Sequence, residues 1–246
     1  MSHPTHPPAA AEPLNIDEVG APRGGAPQRA QTRLYLLLQV FSGCRDTGPL
    51  VDALKKSGLE SVLYLDAHDP SGVGLLFFAE DPGLFTADVR RLLATGPFAE
   101  LTQRHDMTMM GRSYSIGREV DLLDWLLKKP RRAARNAQWP WAVWYPMRRK
   151  ATFEHLPREE QGQIMLDHAR IGMRFGDAGF VQDIRLACHG IDRNDNDFVL
   201  GLIGKELFPL SRIVQEMRKT QQTALHMESL GPFFVGRALW QSPFSE

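Results

Sequence analysis

Residues 33–68 read RLYLLLQVFSGCRDTGPLVDALKKSGLESVLYLDAH, and this stretch decides the fold. Residues 33–43 are an apolar run typical of a buried strand, and residues 46–58 have helical spacing and end in a glycine. Residues 60–68 are a second apolar run with strand character. The segment therefore predicts a strand, a helix and a second strand in succession.

The same order of elements is found twice along the chain. After the turn at 69–72, the first half continues with a predicted strand at 73–80, a helix at 81–96 and a strand at 97–117. The second half repeats the order with strands at 139–147, 180–190, 197–204 and 231–239 and helices at 157–175 and 206–226. Each half is thus predicted as a βαββαβ unit.

These patterns predict an α+β fold of tandem ferredoxin-like (βαββαβ) units, which form a dimeric α/β-barrel-like protomer. The first unit is placed at 32–117 and the second at 139–246, with a short helix and basic linker at 118–138. Residues 1–31 are rich in Pro, Ala and Gly and contain few large apolar side chains, so they predict a disordered leader.

Composition excludes several classes of function. The 246 residues include 29 Lys and Arg and 29 Asp and Glu, so the chain has no overall field that would recruit nucleic acid or an anionic membrane. Cys44 and Cys188 provide no disulfide framework and no metal-binding spacing. No secretory signal and no apolar stretch of about 18 residues is evident. A soluble cytoplasmic protein is expected.

Residues 145–168, YPMRRKATFEHLPREEQGQIMLDH, join a redox-capable phenol to a histidine on an apolar helix face. The predicted helix places Ile164, His168, Ile171 and Phe175 on one side. This pairing suggests haem chemistry. Taken alone, the histidine also fits a packed core residue, and Tyr145 also fits an interfacial aromatic side chain in a tryptophan-rich strand.

Together with RIGMRFG at 170–176, this stretch resembles the chlorite dismutase family and, within it, the coproheme decarboxylases. The resemblance implies that His168 is the proximal iron ligand and that Tyr145 is oxidised to a radical. It also implies that Gln182 lies where true chlorite dismutases carry an arginine above the iron. Arg185 nearby keeps the chlorite-type alternative open.

The resemblance further implies that the propionates of the tetrapyrrole are bound by Arg131, Met147, Arg149 and Thr223. The chain departs from the family pattern, since the position of Arg149 is usually lysine and that of Thr223 usually serine. Phe153 stands where tryptophan is common, and four residues after Lys150 are missing relative to the family.

The hydrogen-bond partner of His168 remains open, with Glu216 as one candidate. The competing histidines of the second half are His155, His189 and His226. None of them occupies the family position of the iron ligand.

The implied function is coproheme decarboxylation, in which two propionates of Fe-coproporphyrin III become vinyl groups and haem b is formed with hydrogen peroxide. Coproheme would be both substrate and cofactor. A coproporphyrin ferrochelatase is the implied candidate partner, and a homopentamer the implied assembly. Two alternatives are a chlorite dismutase-like haem enzyme and a non-catalytic haem-binding or carrier protein.

Overall fold

The structure is a computed structural model that describes residues 14–244. The strands are β1 (Glu18–Arg23), β2 (Ala26–Ala30), β3 (Tyr35–Ser42), β4 (Ser61–Asp66), β5 (Val73–Ala79), β6 (Thr102–Ser113), β7 (Trp141–Arg149), β8 (Gln182–Ala187), β9 (Phe198–Gly204), β10 (Met227–Leu230) and β11 (Phe234–Gln241). The helices are α1 (Gly48–Ser57), α2 (Arg90–Leu93), α3 (Lys129–Ala134), α4 (Arg158–Asp177), α5 (Leu207–Met217) and α6 (Gln221–His226). Within residues 14–244, no helix is both long and apolar enough to cross a membrane.

Both halves have the strand order of a ferredoxin-like unit. In the first half the order is β4-β5-β3-β6, and in the second it is β11-β7-β9-β8, with all pairings antiparallel. Each order places the first and third strands of its unit side by side in the centre. The predicted tandem of ferredoxin-like units is confirmed.

The two units share one sheet. β11 of the second unit pairs with β4 of the first, and β6 of the first pairs with β8 of the second. Because β7 pairs with both β9 and β11, the hydrogen-bonded ladder passes through eight strands and returns to β7. β10 is an additional strand along part of β7.

Alternate residues of these strands face a common interior core, which includes Tyr64, Trp144 and Phe234. Two glycines make room for the large rings. A Cβ atom at Gly201 would lie 2.5 Å from the Trp144 ring, and one at Gly74 would lie 2.3 Å from the Phe234 ring. The opposite faces of the strands are covered by helices: α1 and the 85–93 helical segment cover the first unit, while α4 and α5 cover the second.

The predicted disordered leader is wrong for the residues that form β1 and β2. These strands pair as an antiparallel hairpin. The Glu18 carboxylate, buried at the start of β1, accepts hydrogen bonds from Arg33, Arg112 and Ser115. These charge-assisted hydrogen bonds anchor the hairpin, although its sequence contains few large apolar side chains. The rest of the predicted leader before residue 14 lies outside the described residues.

The helix predicted at 81–96 is a π-helical turn (Phe85–Val89) followed by α2. The helix predicted at 206–226 is divided into α5 and α6, and β10 follows where no strand was predicted. The linker is also more than a solvated connector, because Ala133 and Ala134 of α3 are buried against the interior core.

Candidate functional site

Helix α4 forms the wall of the candidate site that faces the sheet. It begins after Pro157, with Glu159 and Glu160 in its first turn, where carboxylates favour the positive end of the helix dipole. Ile171 and Phe175 on its inner face pack against the apolar cluster of the second unit. His168 is one turn before Ile171 on that face and is half-buried.

The floor of the site is the outer face of the sheet formed by β8, β9 and β7. In this register Arg185 pairs with Leu200, and Leu200 pairs with Tyr145. The three residues therefore form one row across the sheet, and neighbouring strands are about 4.8 Å apart. Phe233 extends the row, since its ring stacks on Tyr145 with the centroids 4.7 Å apart.

Tyr145 is buried in this floor. Burial raises the pKa of its phenol well above the usual value, the nearby Asp183 raises this pKa further, and Arg218 opposes the shift. The phenol is therefore held protonated, as a donor of a hydrogen atom must be.

His168 faces the same compartment as Tyr145. Burial first, and then the charges of Arg185 and Arg149, together lower the pKa of His168 to about 4. Arg149 and Tyr145 alternate on the same face of β7, and Arg185 lies in the Tyr145 row. At neutral pH His168 is a neutral imidazole, the form that binds a metal.

A hydrogen bond sets which nitrogen of His168 is available. The Thr220 hydroxyl donates to the Met217 carbonyl at 2.8 Å, so its oxygen is left to accept from His168 Nδ1 at 3.2 Å. This network assigns the proton to Nδ1 and leaves the Nε2 lone pair free. The candidate partner Glu216 is instead paired with Arg212 at 2.7 Å and Lys219 at 3.5 Å.

The register of β8 changes the expected role of Gln182. Gln182 pairs with Ile203, a residue of the interior core, and Ile184 on the same face of β8 is buried in that core. Gln182 therefore lies on the face away from Tyr145. Asp183 and Arg185 are the residues of β8 that face the site.

Asp183 and Arg185 form an ion pair at the edge of the floor, with Nε to Oδ2 at 2.8 Å. Lys129 donates to the other Asp183 oxygen at 3.0 Å, and the Lys129 and Arg185 cations both lie over the Trp125 ring. Burial opposes ionisation of Asp183, but Arg185 and Lys129 outweigh it and lower its pKa. The pair therefore stays charged at neutral pH.

Arg149 lies at the other end of the floor. Its guanidinium covers the rings of Phe153 and Phe198 at 4.5 and 5.0 Å and approaches Glu154 at 3.5 Å. Its Nε is buried and has no hydrogen-bond partner among residues 14–244. A further anionic group would satisfy this donor.

The remaining expected ligands fall into two groups. Met147 packs in the same apolar cluster as Tyr145, and Thr223 lies on α6, which contacts α4. Arg131, in contrast, binds Glu60 at 2.7 Å and Glu80 at 3.2 Å, both in the first unit. The structure therefore does not bring Arg131 together with Tyr145 and His168.

The competing histidines are placed differently from His168. His155 and His189 are exposed, and His189 approaches Asp197 at 3.6 Å. His226 packs edge-on against the Phe153 ring. The neutral, half-buried imidazole of His168 is the one that shares the compartment with Tyr145.

These donors fit an anionic, metal-bearing planar group. His168 offers one free nitrogen, and the guanidinium of Arg149 offers an unsatisfied N–H. Apolar side chains of β9 and α5, including Leu200 and Ile213, provide the low-polarity walls. Such a site suits a ligand with an apolar body and charged edges.

One known family model matches part of the chain. Residues 122–239 match the family model described as Chlorite dismutase. The resemblance to the chlorite dismutase family is confirmed. The match includes Tyr145, His168, Thr220 and the β8 residues of the floor.

Several solved structures share the fold. A heme-binding protein from Thermus thermophilus is 21% identical with a TM-score of 0.65, over 85% of this chain and 92% of that chain. The chlorite dismutase of Candidatus Nitrospira defluvii in complex with imidazole is 15% identical with a TM-score of 0.62, over the same 85% and 92%. No curated protein matches this chain.

Proposed function

We propose that the second unit binds an iron tetrapyrrole between the sheet and α4, and that the protein is a hydrogen-peroxide-dependent coproheme decarboxylase. The observation that carries this proposal is that a protonated, buried Tyr145 and a neutral His168 face one compartment. The match to the chlorite dismutase family supports the tetrapyrrole as the ligand.

In this proposal His168 Nε2 is the protein ligand of the iron. Thr220 fixes the ring by accepting from Nδ1, and a neutral hydroxyl adds no negative charge to the imidazole. Arg149 is placed to bind a propionate, because carboxylate would satisfy its buried Nε. Leu200, Leu202 and Ile213 exclude water from the compartment.

The bound iron would supply the oxidising power drawn from hydrogen peroxide. Tyr145 would then give up its phenolic hydrogen and take a hydrogen atom from the propionate carbon next to the ring. Each elimination converts one propionate, one peroxide and one proton into one vinyl group, one carbon dioxide and two waters. Two such eliminations turn coproheme into haem b.

Arg185 favours one second candidate, a chlorite-decomposing enzyme. A fixed guanidinium can retain an oxychlorine anion, and Arg185 rather than Gln182 faces the compartment. However, Arg185 is already paired with Asp183 at 2.8 Å, which reduces the charge it can offer to a further anion. We therefore place decarboxylation first.

The test is anaerobic titration of ferric coproheme-loaded protein with measured hydrogen peroxide, followed by mass analysis of the porphyrin. Wild type should release two carbon dioxide per coproheme. Tyr145→Phe should bind coproheme with unchanged affinity and lose the first decarboxylation. Full turnover by Tyr145→Phe would remove the tyrosine from the mechanism.

Two further readouts separate the alternatives. Oxygen release from chlorite in an electrode assay would favour the second candidate, and tight coproheme binding without any mass change would indicate a carrier protein. Tyr114→Phe is the matched control, because Tyr114 is a half-buried phenol near Arg185 and Arg149 whose pKa is also raised by burial. It should keep both decarboxylations.

The resemblance also leads us to propose a homopentameric assembly and a ferrochelatase partner. A homopentamer predicts five chains by light scattering coupled to size-exclusion chromatography. A coproporphyrin ferrochelatase partner predicts faster coproheme loading from that enzyme than from free solution.

A further inference from the structure

A cavity of about 630 Å³ lies at the first unit and does not include Tyr145 or His168. It is bounded by the end of α1, by α3, and by the end of β11 together with the residues that follow it. Its charged lining residues are Lys55, Lys128, Arg131, Arg135, Glu60 and Glu80. A volume of this size accommodates a small organic ligand.

The most unusual lining group is the guanidinium of Arg135. Its side chain is only 3% exposed, and burial lowers its pKa although Glu60 opposes this shift. It donates to the Ser242 hydroxyl at 3.1 Å and to the Pro243 carbonyl at 3.2 Å, both neutral acceptors. Its Nε is buried without a hydrogen-bond partner among the described residues.

The nearby carboxylates are committed to another cation. Glu60 and Glu80 bind Arg131 at 2.7 and 3.2 Å, whereas the contact from Glu60 to Arg135 is 3.8 Å long. A buried cation with so distant a counterion is costly. The position beside Arg135 would therefore favour the binding of an anion.

The rest of the wall is apolar and aromatic. The Phe244 ring lies 4.8 Å from the Arg135 guanidinium carbon, and Trp240, Leu54 and Leu59 line the same cavity. We propose that this cavity is a second ligand site, which binds a small aromatic carboxylate. Its carboxylate would meet Arg135 and Lys128, and its ring would pack on Phe244 and Trp240.

This inference does not depend on the proposed decarboxylase activity. The probe is naphthalene-2-carboxylate, titrated into the full-length protein by isothermal calorimetry, with the uncharged naphthalene-2-carboxamide as the matched ligand. The carboxylate should bind in a one-to-one ratio and at least about tenfold more tightly than the amide, since only it neutralises the buried cation. Equal affinities of the two compounds would overturn the proposal.

Variants locate the site. Lys128→Gln should weaken naphthalene-2-carboxylate binding by about fivefold, and Phe244→Ala should weaken it by a similar factor. Both residues lie at the margin of the protein, so neither variant depends on replacing the buried Arg135. Arg170→Gln, which removes an exposed cation of α4, should change nothing.

His168→Ala distinguishes this site from the candidate tetrapyrrole site. The variant should lose coproheme binding and retain naphthalene-2-carboxylate binding. Loss of naphthalene-2-carboxylate binding in His168→Ala would show that the probe binds elsewhere. Unchanged binding in both Lys128→Gln and Phe244→Ala would show the same.

Discussion

Acidification should destabilise the ligand-free protein through His168. The ordinary histidine pKa of 6.5 is lowered to about 4 in the folded chain, first by burial and then by Arg185 and Arg149. Between these two values the unfolded chain binds a proton at this residue and the folded chain does not. Linkage then requires the free energy of unfolding to fall as the pH falls through this window.

The size of the effect follows from the two pKa values. Going from pH 7 to pH 5, the difference in proton binding corresponds to about 2 kcal/mol of lost stability. Because the ring is only half-buried, solvent screening reduces the expected loss to roughly 1–2 kcal/mol. Above pH 7 the contribution of His168 is essentially constant, since both states are neutral.

The assay is urea unfolding at pH 7, 6 and 5 of wild type, His168→Gln and His155→Gln. His168→Gln should lose the roughly 1–2 kcal/mol pH dependence, while His155→Gln, at an exposed position, should keep the wild-type slope. Asp183 does not interfere, because its lowered pKa places its own destabilisation at more acidic pH. Parallel pH slopes for wild type and His168→Gln would refute the assignment of a buried, neutral imidazole.

Two further predictions address the tautomer and the interior packing. Thr220→Val should lower coproheme affinity by about 10- to 100-fold in an absorbance titration, because the acceptor for the Nδ1 proton is lost, whereas Thr220→Ser should retain it. Gly201→Ala should cost about 1–3 kcal/mol in urea unfolding, since the new methyl group would lie 2.5 Å from an indole ring. Gly162→Ala on α4 meets nothing within 4 Å and should be neutral or stabilising by up to about 1 kcal/mol. An unchanged affinity in Thr220→Val, or equal stabilities of the two alanine variants, would contradict these assignments.

The order of elements could be predicted because strand and helix differ in apolar periodicity. β5, for example, is buried along its whole length, and its sequence is a continuous apolar run. The predicted helix at 157–175 ends within two residues of the observed end of α4 at Asp177. Such local signals do not report which strands of the two units pair, so the junctions of β11 with β4 and of β6 with β8 required the structure.

The misplacement of Gln182 has a specific cause. Similarity of short sequence motifs aligns residues without regard to the sheet face that each side chain occupies. Because side chains alternate along a strand, a shift of one residue moves a side chain to the other face. The alternation of Gln182, Ile184 and Leu186 would have indicated the interior face. The pairing of Gln182 with Ile203 then fixes that face.

The ion pairs of Arg131 could not be predicted from the sequence for a related reason. A basic linker has little local pattern, and its charges are usually solvated. Only the folded chain brings Glu60 and Glu80, from 71 and 51 positions earlier in the sequence, against this residue. α3 therefore contacts the first unit through the ion pairs of Arg131 and contacts the candidate site through the hydrogen bond from Lys129 to Asp183.

The hydrogen-bond partner of His168 bears on the pKa of the ring and on the charge of the compartment. A carboxylate on Nδ1 would add a negative charge beside the ring and would raise its pKa. Thr220 orients the ring without that charge, so nothing at Nδ1 offsets the cations of Arg149 and Arg185. The compartment therefore holds a neutral imidazole near several positive charges, an arrangement that favours a ligand bearing several carboxylates over an uncharged one. The same neutral hydroxyl predicts a weaker electron donation from His168 to the iron than a carboxylate partner would give, which the reduction potential of the coproheme-loaded protein would measure.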